Sequence, residues 1–187
     1  FEPVLTGPID LSLAEGGQID LRGGGDRISA TLDQDLLPSD FNLQLGDIVA
    51  EGQLVDRQLV ADVQNFPIES LGLAPGEALG LGPLAGTVDA TITGDLTDFA
   101  TPTAQGTVEI TDLALGDIAA ESFIADFTYG EGLLELVQGD LRFANSQYLL
   151  SGQVNLAAAE PTYNAQLDIV SGNFEDLLNA LNWQTFA

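Results

Sequence analysis

AGTVDATITGDL, residues 85–96, carries two interleaved rows of side chains. Val88, Ala90, Ile92, Gly94 and Leu96 form one; Thr87, Asp89, Thr91, Thr93 and Asp95 form the other. Successive residues of a β-strand point to opposite faces, so this spacing gives one apolar and one polar face. A helix would scatter both rows around its circumference, and the β-branched content disfavours helix in any case. The segment reads as a half-buried strand. QGTVEITDLALGD at 105–117 then writes nearly the same strand again, with Gly106, Val108 and Ile110 in its apolar row.

The same alternation recurs along the chain. Ile9, Leu11 and Leu13 alternate with Asp10 and Ser12; Ile19 and Leu21 flank Asp20; Ile28, Ala30 and Leu32 flank Ser29 and Thr31. Phe41, Leu43 and Leu45 follow, then Leu59, Ala61 and Val63, and later Phe123, Ala125, Phe127 and Tyr129. Tyr148, Leu150, Gly152, Val154 and Leu156 make the longest row, and Tyr163, Ala165, Leu167 and Ile169 the last. Glycine-containing breaks at 23–25 (GGG), 129–132 (YGEG) and 138–140 (QGD) read as turns between strands.

Two stretches depart from this pattern. Residues 66–86 hold three of the eight prolines and many glycines, and read as an irregular loop with one short helical turn. Residues 173–183 have the spacing of a short amphipathic helix: Asn173 as N-cap, Glu175 and Asp176 in the first turn, and Phe174, Leu177, Leu178 and Leu181 as its apolar stripe. Such a helix would cover a sheet face or end. The expected fold is therefore all-β, a single antiparallel meander over 1–187. Strands with one apolar face each must close into a barrel or sandwich, or curl so that those faces line a trough. Small residues in the apolar rows (Gly52, Ala61, Ala90, Gly94, Gly106, Ala125, Gly152) suit a strongly bent sheet.

Composition narrows the function. The chain has 29 acids against 4 arginines and no lysine, a formal net charge of −25. That surface repels phosphate backbones and anionic headgroups, which argues against nucleic acid as a partner. The acids stand singly at polar strand positions, as on a solvated face. With no histidine, cysteine or methionine, the commonest general base and the thiolate metal sites are missing. Paired carboxylates for glycoside hydrolysis and calcium at RGGGDRIS (22–29) are the chemical options left. The acids sit at alternating polar strand positions of a solvated face, and RGGGDRIS is one copy without the nonapeptide rhythm of a calcium β-roll, so no enzyme, cofactor or metal is expected. No long apolar run that would span a membrane appears, and a start at Phe1 fits a segment of a longer chain.

Residues 85–170 resemble the repeating strands of TamB-like proteins of the AsmA-like group, in the cyanobacterial or chloroplast lineage. The cues are Gly94-Asp95-Leu96 closing a Gly-led strand, Pro102 and Gly106 opening the next, the hairpin at 129–133 and LSGQVNL at 150–156. LVADVQNFPIESLGL at 59–73 and NFEDLL at 173–178 are similar to an apolar strand with a proline-led break and to an interrupting helix of that family. The resemblance covers most of 40–182.

It implies an open U-shaped, taco-like sheet with an apolar interior. The implied protein is anchored in an inner membrane by a segment outside this chain and reaches through the periplasm or an intermembrane space. Its implied work is phospholipid transfer between membranes, or translocation and assembly of outer-membrane proteins with a barrel-assembly partner. Neighbouring segments of the same chain would continue the array. No catalytic residue carries over. The groove-lining candidates are Leu43, Leu59, Val63, Val88, Ile92, Val108, Ile110, Phe123, Phe127, Tyr129, Tyr148, Leu150, Val154, Leu156, Leu167 and Ile169. The alternative is a structural or adhesive extracellular β-domain with a closed core, with or without calcium as a stabilising ligand.

Overall fold

A computed structural model of the chain describes residues 6–7, 9–12, 16–71, 83–98, 100–116, 118–143, 145–158 and 161–172. The strands are β1 (Ile9–Ser12), β2 (Gly16–Gly23), β3 (Asp26–Leu32), β4 (Pro38–Leu45), β5 (Ile48–Val55), β6 (Gln58–Pro67), β7 (Leu84–Asp95) and β8 (Thr103–Leu115). They continue with β9 (Ile118–Ala119), β10 (Ser122–Gly130), β11 (Leu133–Phe143), β12 (Ser146–Asn155) and β13 (Thr162–Ser171). Each neighbours the next in sequence, except that the two-residue β9 pairs with β8 off the main path. Among the described residues β1 and β13 end this order, so the ladder does not close on itself. The antiparallel meander expected from the alternation is the fold observed.

A 3-10 turn, Ile68–Leu71, sits in the described part of the proline- and glycine-rich stretch. The strands reach further into that stretch than its composition suggests, β6 running through Pro67 and β7 starting at Leu84. The helix expected over 173–183 lies outside the described residues. The chain divides into two compact units, residues 1–66 with 90–104, and residues 67–89 with 105–187. β7 and β8 each contribute to both.

In the first unit the registers assemble cross-strand rows. Ile19, Ala30, Phe41, Gly52 and Ala61 lie opposite one another in succession on one face. Leu21, Ile28, Leu43, Ala50 and Val63 form the next row of that face. The other face carries Asp20, Ser29, Asn42, Glu51 and Asp62 in one row. Thr91 of β7 extends it, its hydroxyl donating to the Asp62 carboxylate at 2.9 Å.

Tight hairpins hold these registers. Gly24–Gly25, Asp56–Arg57 and Glu131–Gly132 each place two consecutive residues at positive φ, the backbone of a two-residue turn whose twist matches the strands it joins. Asp56–Arg57 does so without glycine. Around it, Leu96 N–H donates to the Arg57 carbonyl at 2.8 Å and the Arg57 guanidinium donates to the Thr97 carbonyl at 3.1 Å.

The second unit repeats the arrangement with one adjustment. QGD at 138–140, which reads as a turn, lies inside β11. There β11 carries one residue more than either neighbour: Asp126 faces Gln138 but Phe127 faces Leu136, and Leu136 faces Gly152 while Gly139 faces Leu150. This is a β-bulge at Val137–Gln138, and glycine beside a polar residue suits a bulge as well as a turn. The bulge shifts the phase of the strand, so that Leu134 and Leu136 share a face with Gly139 and Leu141.

Candidate functional site

Through that phase shift, one face of β10–β13 becomes apolar in every row. Tyr129, Leu134, Val154 and Tyr163 form the first row; Phe127, Leu136, Gly152 and Ala165 the second. Ala125, Gly139, Leu150 and Leu167 form the third, and Phe123, Leu141, Tyr148 and Ile169 the fourth. The reverse face is mixed: it carries Glu135, Gln153 and Asn164 in one row and Ile124, Asp140, Leu149 and Asp168 in another. There Asp140 accepts a hydrogen bond from Gln147 and lies 3.7 Å from the Arg142 guanidinium.

Burial falls off across the apolar face. Phe123 is 6% exposed, Ala125 and Tyr148 are buried, and Phe127, Tyr129, Leu150 and Val154 are half-buried. On β13 all ten residues are exposed, with Leu167 at 41% and Ile169 at 45%. The Tyr148 hydroxyl is buried with no hydrogen-bond partner among the described residues. An unsatisfied buried hydroxyl costs about 1–3 kcal/mol, so this ring is held by packing rather than by its oxygen.

Of the other candidates read from the sequence, Val108 and Ile110 lie on β8 and Val88 on β7, with Val88 and Ile110 buried. Leu156 lies past the end of β12 and is exposed. Leu43, Leu59, Val63 and Ile92 belong to the first unit and are half-buried. The candidates thus fall into two sets, one in each unit. Sequence reading missed Leu134, Leu136 and Leu141, whose alternation is broken by the bulge.

The first unit also has an open hollow of about 560 Å³ on its polar face. Asp20, Ser29, Asn42, Glu51 and Asp62 line it, with Arg27 and Asp40, and none of Leu43, Leu59 or Val63 does. The carboxylates here are engaged with neighbours. Asn42 donates to Glu51 at 3.4 Å, and Asp20 accepts from Arg22 at 2.8 and 3.1 Å and from Arg27 at 3.1 Å. Among the described residues, no three acids are grouped so as to hold a metal ion.

The hydrogen bonds from Arg22, and then those from Arg27, lower the Asp20 carboxyl from its ordinary 3.8 to about 2. Its folded value lies below its unfolded one, so its contribution to stability is full above the unfolded value and is lost as pH falls through about 2. Both partners are solvent-exposed, so the contribution is small. Wild type and Asp20→Asn are expected to differ slightly in urea midpoint at neutral pH and to converge on acidification. Side-chain carboxyl NMR checks the cause directly: titration of Asp20 at an ordinary 3.8 would contradict the paired geometry.

Comparison with family models, with curated proteins and with solved structures finds no match for this chain.

Proposed function

We propose that the chain is a non-enzymatic segment of an envelope-spanning, TamB-like protein, and that the apolar face of β10–β13 receives acyl chains. The supporting observation is the four-row apolar face, complete on every strand and exposed where it reaches β13. A ten-residue strand spans roughly 33 Å, similar to the length of a lipid. Each methylene sheltered from water contributes roughly 0.8 kcal/mol, so an acyl chain laid across several rows is held without any polar contact. Headgroups would remain in water at the open edge. In this reading the protein works in the periplasm or an intermembrane space, its cargo is phospholipid, and an outer-membrane barrel-assembly protein is its partner.

A closed-core structural or adhesive domain is the second reading. Tyr148, only 1% exposed in the row that also holds Ile169, favours it locally.

Native mass spectrometry after detergent-free purification tests the proposal, together with titration of a fluorescent fatty-acid probe. Wild type is expected to carry phospholipid and to bind the probe. Leu167→Asp combined with Ile169→Asp places charges at positions already exposed to water, so the sheet should survive. Probe affinity should fall at least roughly tenfold, because burial of one large apolar side chain is worth about 1.5–3 kcal/mol. A lipid-free wild type that ignores the probe, or a double variant that binds it unchanged, would give the lead to the closed-core reading.

A further inference from the structure

We infer that Tyr148 decides which acyl compounds the apolar face accepts: its hydroxyl donates a hydrogen bond to the uncharged carbonyl of an ester-linked acyl chain. The inference rests on reading the β10–β13 face as an acyl-chain acceptor, and adds one polar contact at the head of the chain. Tyr148 is 1% exposed, and its hydroxyl is buried without a partner among the described residues. Buried polar groups almost always have a partner, and phenylalanine would fill the same space without an unmet donor. A hydroxyl kept there at a cost fits a partner that arrives with the ligand. The other two tyrosines are not closed off in this way: Tyr129 is half-buried and Tyr163 is 41% exposed.

Tyr148 lies directly across from Ile169 of β13, which is 45% exposed, so one side chain at the open border separates the ring from water. From Tyr148 the face continues along β12 through Leu150 and Gly152 to Val154, about 20 Å away. A chain whose head lies at Tyr148 therefore has the other three rows for its tail. Charge then selects the kind of carbonyl. The chain has no lysine or histidine, and of its four arginines Arg142 alone belongs to the second unit. Arg142 follows Leu141 in β11 and so stands on the reverse face, 3.7 Å from Asp140. A carboxylate brought to Tyr148 would be buried in an apolar row that no cation of this unit faces. That costs far more than a single hydrogen bond returns. An ester carbonyl offers the same oxygen without the charge, so the site favours esterified acyl chains over free fatty acids.

Two single-chain phosphocholine lipids of equal chain length test this, one ester-linked and one ether-linked, so that they differ in the carbonyl oxygen. The free fatty acid of the same length is the third probe. Each is titrated, below its micelle concentration, against wild type and Tyr148→Phe. Wild type should bind the ester roughly threefold to tenfold tighter than the ether, the worth of one hydrogen bond. Tyr148→Phe should bind the two equally and keep the wild-type affinity for the ether. Its urea midpoint should match or exceed that of wild type, because an unmet donor is gone. A lower midpoint would mean that the hydroxyl already has a partner within the protein, and overturns the inference. So does equal binding of ester and ether by wild type, or an ester preference that survives in Tyr148→Phe. A fatty acid that loses as much affinity as the ester on that substitution overturns the choice of an uncharged acceptor. If wild type binds none of the three probes, the acyl-chain reading itself fails, and the inference with it.

Discussion

Phe123→Ala is expected to lower stability by about 3–5 kcal/mol, the cost of emptying a buried aromatic site. The ring is 6% exposed and lies over Gly139 of the neighbouring strand. A Cβ at 139 would stand 2.6 and 2.7 Å from its Cε2 and Cζ atoms and 3.2 Å from the Leu150 carbonyl oxygen. Gly139→Ala alone should therefore cost about 1–3 kcal/mol by overpacking, since the buried ring has little room to yield. The two changes should also compensate. Once the ring is gone, a methyl at 139 loses its two closest neighbours, keeps the 3.2 Å approach to the Leu150 carbonyl oxygen, and refills part of the space. The double variant should then lose at least about 1 kcal/mol less than the sum of the single losses. Urea denaturation of the four proteins measures this, provided the slopes agree so that midpoints report stability. Strictly additive losses would mean that the ring does not rest on Gly139.

The second large effect belongs to the first unit. Gly52→Val should destabilise by about 3 kcal/mol, at the upper end of overpacking costs. A Cβ there would collide with the Val60 carbonyl oxygen, and would lie 2.8 Å from Phe41 Cζ and 3.0 Å from Ala61 Cα. Two of those three neighbours are backbone of β6, which cannot retreat without breaking the β5–β6 ladder. Gln53→Val, one residue on and exposed on the polar face, is the control and should shift stability by no more than about 0.5 kcal/mol. Equal midpoints for the two variants would refute the close approach. Gly152 has the same place in the second unit: a Cβ there would meet the Asn164 carbonyl oxygen at 2.5 Å and Ala165 Cα at 3.1 Å. Glycine in these rows therefore marks close approach to the backbone of the paired neighbouring strand.

These glycines show where sequence reading succeeded and where it stopped. Alternation at 87–96 or 148–154 depends only on the chain's own pleat, so those strands and their apolar sides were legible residue by residue. Gly52 and Gly152 were recognisable as small members of apolar rows, but the atoms that require them belong to other strands. At β11 the reading failed for a related reason. Leu134 and Leu136 fall on even numbers and Gly139 and Leu141 on odd ones, and only the pairing with β10 and β12 shows that both sets share a face. Asp56–Arg57 went unread as a turn because nothing in an aspartate–arginine pair demands positive φ; the strands on either side impose it. Of the candidate site, the apolar positions on β10, β12 and β13 were visible in the sequence, and those on β11 were not. Their grouping into two sets and the hollow on the polar face depend on registers that no single strand encodes.

The bulge at Val137–Gln138 has a wider consequence. The sheet keeps its rows aligned by neighbour contact and does not count residues; Ser39 in β4 and Val170 in β13 likewise stand outside the regular pairing. A scan for internal repetition at any constant spacing falls out of step at each such place, although the strands before and after obey the same rule. One residue gained or lost inside a strand can be taken up as a local kink, leaving the partners on both sides unchanged. Chains of this kind can drift in spacing while their architecture stands still, so kinship among them is better sought in the succession of faces than in the alignment of letters.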